Sequence, residues 1–169
     1  MLKTARVHLA IGAGLAAIFA AAPSHAAPAG PYAKLCETGK SAVLARINGF
    51  KSARGVVSVK LYPGNNRFLE KGAYLRKVEV PVTRTGPMEI CVPVPASGRY
   101  ALSVRHEVTG EKSRSDGGGF SGNPKVSLMD VILKRKPNLE RVAFTVNGTT
   151  RLVPVTLYYL EGASLRPAA

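Results

Sequence analysis

From Ala42 to Leu160 the chain alternates apolar and polar residues with a period of two. Such alternation is the mark of strands with one buried face. In 55–63, Val57, Val59 and Leu61 share a face, with Ser58 and Lys60 opposite. In 74–82, Val78, Val80 and Val82 oppose Lys77 and Glu79. In 88–95, Met88, Ile90, Val92 and Val94 face one way, and Glu89, Cys91 and Pro93 the other. In 99–108, Tyr100, Leu102, Val104, His106 and Val108 share a face against Ala101, Ser103, Arg105 and Glu107. Further strands are predicted over 42–50, 140–148 and 149–160, the last two joined by Asn147-Gly148, a type I′ hairpin signal. Turn residues punctuate the runs at Pro63-Gly64-Asn65-Asn66 and Ser97-Gly98. Pro93 and Pro95 cannot donate to a ladder, so 88–95 is expected at a sheet edge. Residues 109–124 read as a long Gly-rich loop, and 126–133 fits a short helix as well as a strand. About seven mostly antiparallel strands predict an all-β Greek-key sandwich, one domain over 41–160 followed by a tail, 161–169.

The first 26 residues break this pattern. Lys3 and Arg6 precede an uncharged run, Val7 to Ala22, that ends in Pro23-Ser24-His25-Ala26. A charged start, an apolar middle and a small-x-small end are the parts of a secretory signal. Export to the periplasm or beyond is expected, with cleavage after Ala26 and a flexible Ala/Pro/Gly-rich arm over 27–40. No later stretch is apolar and long enough for a transmembrane helix. Cys36 follows Lys34-Leu35, not the small apolar residues of a lipidation site. In an oxidising compartment Cys36 and Cys91 are expected to form a disulfide. Cys91 falls on the less apolar strand face, so the bridge should clip the arm across the outside of the sandwich.

Laid out in this order, the strands resemble a bacterial family of exported proteins known as domain of unknown function 2141. The likeness spans about residues 42–160 and rests on INGF with GVVSVKLY, on GRYALSVRHEV, and on GGGFSGNPKV with VAFTVNG and VPVTLYY. It implies a prealbumin-like or immunoglobulin-like sandwich with no established activity. The family commonly continues its His-Asp strand into an acidic, Asn-rich loop suited to calcium. Here Glu107 replaces the Asp, and Lys112 and Arg114 lie among the carboxylates Glu107, Glu111 and Asp116. Calcium takes about 6–8 oxygen ligands, several of them carboxylate, so neither a metal nor another cofactor is expected.

Charge changes the picture less than it first promises. The chain has 24 Lys+Arg against 10 Asp+Glu, a net charge of +14. Loss of Lys3 and Arg6 with the signal would leave 22 against 10, or +12. That balance suits polyanions, but export removes nucleic acid from consideration and leaves anionic lipid, lipopolysaccharide or an envelope protein. Lys134-Arg135-Lys136 is the densest basic cluster. His106 would be the sole histidine of the mature chain. It could anchor a hydrolase site with Glu107 and Asp116, or pack at the core rim and bond the adjoining loop. Ser121 lies in Gly-Phe-Ser-Gly, not in a nucleophile elbow. Gly117-Gly118-Gly119 lacks the Lys-Ser/Thr of a phosphate loop and reads as a loop tip. The expectation is a non-catalytic envelope binding protein whose surface is His106, Glu107, Glu111, Asp116, Lys134, Arg135 and Lys136. A hydrolase, or a scaffold pairing through the 88–95 edge, is the alternative.

Overall fold

Residues 27–110 and 112–168 are described by the computed structural model, so the predicted signal, 1–26, and the candidate residue Glu111 lie outside it. The protein is an all-β sandwich of two sheets, with three short helices among the described residues. The smaller sheet has β1 (Ala42–Asn48) at its centre, antiparallel to β4 (Met88–Pro93) and parallel to β8 (Thr150–Thr156). The larger sheet contains β2 (Val56–Pro63), β3 (Arg76–Pro81), β5 (Gly98–Glu107), β6 (Gly117–Phe120), β7 (Ala143–Val146), β9 (Tyr158–Glu161) and β10 (Ser164–Pro167). One edge of β5 pairs with β2. Its other edge is shared, β7 taking Gly98–Ala101 and β6 taking Ser103–His106.

Between the sheets lies the core the alternation predicts. Val43, Ala45, Ile47, Ile90, Val92, Val153 and Val155 of the small sheet meet Val57, Val59, Leu61, Val78, Leu102, Val104 and Tyr159 of the large one. A second cluster, Tyr62, Phe68, Ala73, Ala101 and Val142, lies on the outer face of the large sheet.

The described residues form ten strands where the alternation predicts about seven. Residues 149–160 are two strands, β8 in one sheet and β9 in the other, divided at Leu157, whose amide donates to the Asn48 carbonyl at 3.0 Å. Val153, Val155, Leu157 and Tyr159 all stay buried through the crossing, so the period of two never breaks. The run 140–148 opens with α3 (Leu139–Val142), capped by the Asn138 side chain, before it becomes β7. The ambiguous run 126–133 contains a helix, α2 (Leu128–Ile132), started by a Ser127–Asp130 capping box. The tail contributes β10, hairpinned to β9.

The Gly-rich stretch is a strand rather than a loop tip. Gly117 and Gly119 turn inward and Gly118 outward. A Cβ on Gly117 would stand 2.5 Å from the Tyr159 ring, and one on Gly119 would stand 2.4 Å from the Thr156 carbonyl oxygen. Neighbouring groups take the space that side chains would need, which is one use of glycine within a strand.

The 27–40 segment packs on the small sheet. The Ala29 amide donates to the Glu89 carbonyl at 2.6 Å, and Ala29 forms a parallel bridge with Ile90. Helix α1 (Ala33–Glu37) carries Cys36, bonded to Cys91 across a separation of 55 residues. The register puts Cys91 on the outer face with Leu44, as its strand phase predicts. It is nonetheless 0% exposed. The disulfide therefore clips the segment across the outer face of the small sheet, as its strand phase predicts, with the Cys91 end buried and the Cys36 end half-buried.

Candidate functional site

His106 lies on the inward face of β5 and is 0% exposed. Its Nε2 is 2.7 Å from the Arg54 carbonyl oxygen, and its Nδ1 is 2.7 Å from the Tyr159 hydroxyl. A carbonyl only accepts, so Nε2 carries the proton and Nδ1 accepts from Tyr159. The Tyr159 oxygen in turn accepts from the Lys51 amide at 3.2 Å. Phe50 meets the imidazole edge-on, with ring centroids 5.3 Å apart. Burial pushes the Tyr159 hydroxyl pKa up; the Lys51 hydrogen bond opposes this and the charge of Asp116 adds to it. The result is a directed chain from Lys51 through Tyr159 and His106 to Arg54. Both imidazole nitrogens are used and neither faces solvent.

Glu107 points the other way along β5. Its carboxylate stands 3.7 Å from the Arg105 guanidinium. Asp116 is held on the same outer side by Arg105 at 2.7 Å and 3.1 Å, by the Ser113 amide at 3.0 Å and by the Ser113 hydroxyl at 2.9 Å. Burial pushes the Asp116 carboxyl up, but the Ser113 amide, the Arg105 and Ser113 side chains and the Arg105 charge together hold it below its usual range. Arg105 thus gathers Glu107 and Asp116, while His106 is committed to the opposite face. The three residues do not assemble as a hydrolase set. Ser121 is equally committed: its hydroxyl donates to the Val142 carbonyl at 2.5 Å and accepts from the Leu102 amide at 2.9 Å. Among the described residues no three His, Cys, Asp or Glu side chains come together as a metal-holding group.

The basic cluster stands elsewhere, directly after α2. Lys134 has φ 51°, the left-handed conformation in which the chain leaves the helix. Arg135 lies 3.8 Å from Asp130, and Lys136 lies 3.7 Å from Glu70. Beside them α2 is apolar and uncovered: Met129, Val131, Ile132 and Leu133 are 51–59% exposed. Alternation could not reveal this patch, because the same four residues suit a buried strand. A cavity of about 460 Å³ opens between α2 and the outer face of the large sheet, lined in part by Arg105, Arg114, Gly118, Phe120, Leu128 and Leu165.

The family model described as "Uncharacterized protein conserved in bacteria (DUF2141)" matches residues 45–153. The chain belongs to this DUF2141 family. No curated protein and no solved structure matches it. The DUF2141 match contains His106, Glu107, Asp116 and the Lys134–Lys136 cluster. Tyr159, the hydrogen-bond partner of His106 Nδ1, lies beyond its end. Nothing in the period-two pattern could have paired these two residues, since they lie on β5 and β9 of the large sheet and meet across Gly117 of β6, which has no side chain. Arg105 was the more legible omission: it lies on the polar face of the same strand as Glu107 and just ahead of Asp116.

Proposed function

We propose that this DUF2141 protein is a non-catalytic accessory protein of the bacterial envelope, exported by its first 26 residues and held on anionic lipid or lipopolysaccharide surfaces. The observation that carries this reading is the uncovered apolar helix α2 running directly into Lys134, Arg135 and Lys136. Apolar side chains beside a basic cluster are the ingredients of interfacial binding, in which burial and attraction to anionic headgroups add. The disulfide suits an oxidising compartment, and no helix among the described residues is long and apolar enough to cross a membrane. The commitment of His106 and Ser121 to internal hydrogen bonds favours binding over hydrolysis. The sheet-edge scaffold reading is weakened, because the β4 edge already meets Ala29 of the same chain.

Co-sedimentation with vesicles tests this. The protein should bind phosphatidylglycerol-containing vesicles in preference to phosphatidylcholine, and lose that binding as salt rises. Each cation near such a surface is worth about 1 kcal/mol. Arg135 and Lys136 are partly neutralised by Asp130 and Glu70, so Lys134/Arg135/Lys136→Ala should weaken binding roughly tenfold rather than by the full sum. Equal retention on neutral and anionic vesicles would refute the reading.

A further inference from the structure

The cavity beneath α2 has its own chemistry. Its floor exists because β6 is made of glycine. Gly118 is the outward member of that strand, and a Cβ there would meet only the Val104 carbonyl oxygen, at 3.9 Å. Tyr158 and Leu160 of β9 and Leu165 of β10 extend the floor, while Leu128 and Val131 of α2 form the roof. The volume, about 460 Å³, lies within the range of roughly 300–1,000 Å³ usual for small-molecule sites. The polar lining includes Arg105, Ser113, Arg114 and Asp116. Arg105 is neutralised there by Asp116 at 2.7 Å. Arg114, an exposed residue of the lining, has no ion pair among the described residues, so it adds an unpaired positive charge to a mostly apolar cleft.

From this combination we infer that the cavity binds an anionic single-chain amphiphile. The acyl chain lies over Gly118 between β9 and α2, and the carboxylate or phosphate is met by Arg114. A guanidinium recognises either head group through charge-assisted hydrogen bonds. The same chemistry could be presented by a free fatty acid or by a lysophospholipid. This site shares Val131 of α2 with the membrane contact proposed above but does not rest on it.

A dansyl-labelled undecanoic acid, titrated into the full mature chain in vesicle-free buffer, tests the inference. The probe should brighten and shift to the blue on binding. Dodecanoate or lysophosphatidate should displace it. Displacement by the carboxylate alone assigns the free acid, and displacement by the phosphate alone assigns the lipid; either outcome supports the site. Gly118→Leu places a side chain in the cleft where the backbone leaves room, and should weaken the probe at least tenfold. Val131→Asp sets a carboxylate at the mouth of the cavity on an exposed position, 53% accessible, and should do the same even if the glycine variant fails to fold. Arg114→Ala should weaken dodecanoate several-fold but leave dodecanol unchanged. Wild-type probe binding in folded Val131→Asp, or no probe binding by the parent chain, overturns the inference. Gly118→Leu should also keep its hold on anionic vesicles, so failure of the cavity and failure of the membrane reading are told apart.

Discussion

Replacing Tyr159 with Phe removes one oxygen and tests whether His106 is a structural residue. The ring keeps its place against Gly117, so packing changes little. His106 Nδ1, in a side chain with 0% exposure, loses its donor at 2.7 Å. The Lys51 amide loses its acceptor too, but Lys51 is exposed and water can replace it. One stranded buried acceptor costs about 1–3 kcal/mol. With a urea dependence of about 2 kcal/mol/M, the unfolding midpoint should fall by roughly 1 M. The chain has no tryptophan, so far-UV circular dichroism is the natural signal. His106→Phe should cost a similar amount, since it strands the Arg54 carbonyl and the Tyr159 hydroxyl. The double variant should cost less than the two together, with a coupling on the order of 0.5–3 kcal/mol, because the histidine change removes the stranded Nδ1 and the tyrosine change removes the stranded hydroxyl, leaving only the Arg54 carbonyl unpaired. A midpoint for Tyr159→Phe within ~0.2 M of the parent, or strictly additive costs, would refute the directed chain from Lys51 to Arg54.

Two other outcomes follow from the same structure. Cys36→Ala with Cys91→Ala opens a loop of 55 residues that encloses β1, β2 and β3. The loop-entropy relation puts the loss at about 4 kcal/mol. Urea unfolding should therefore show a large global shift, whereas loosening confined to 27–40 would contradict this. Asp116 has a folded pKa below its ordinary value, so its contribution is present above about pH 3.9 and is lost as pH falls through the lower folded value. Subtracting an Asp116→Asn stability profile from the parent's should isolate an acid limb in that window. A difference that is flat with pH would mean that the Ser113 and Arg105 contacts do not hold the carboxylate.

The sequence by itself determined the inward residues of β2, β3, β4 and β5, because their apolar residues recur at every second position, even in β4, where the opposite face is covered as well. It also determined the edge position of β4 through Pro93, the family through three short runs in order, and the cysteine pairing, since only two cysteines exist. The tertiary structure decided what alternation cannot encode. The crossing at Leu157 keeps the phase of two, so β8 and β9 read as one strand although they belong to different sheets. Glycines carry no side chain to alternate, so β6 was hidden, and the cavity above Gly118 with it. Cys91 became buried because a segment remote in sequence lies over its face. His106 acquired its role in the same way: the strand phase placed it inward, but only the approach of Tyr159 and the Arg54 carbonyl satisfied both of its nitrogens. The α2 patch is the reverse case, apolar residues that look destined for a core. They remain uncovered because the capping box starts a helix on the outer face of a sandwich whose interior is already filled.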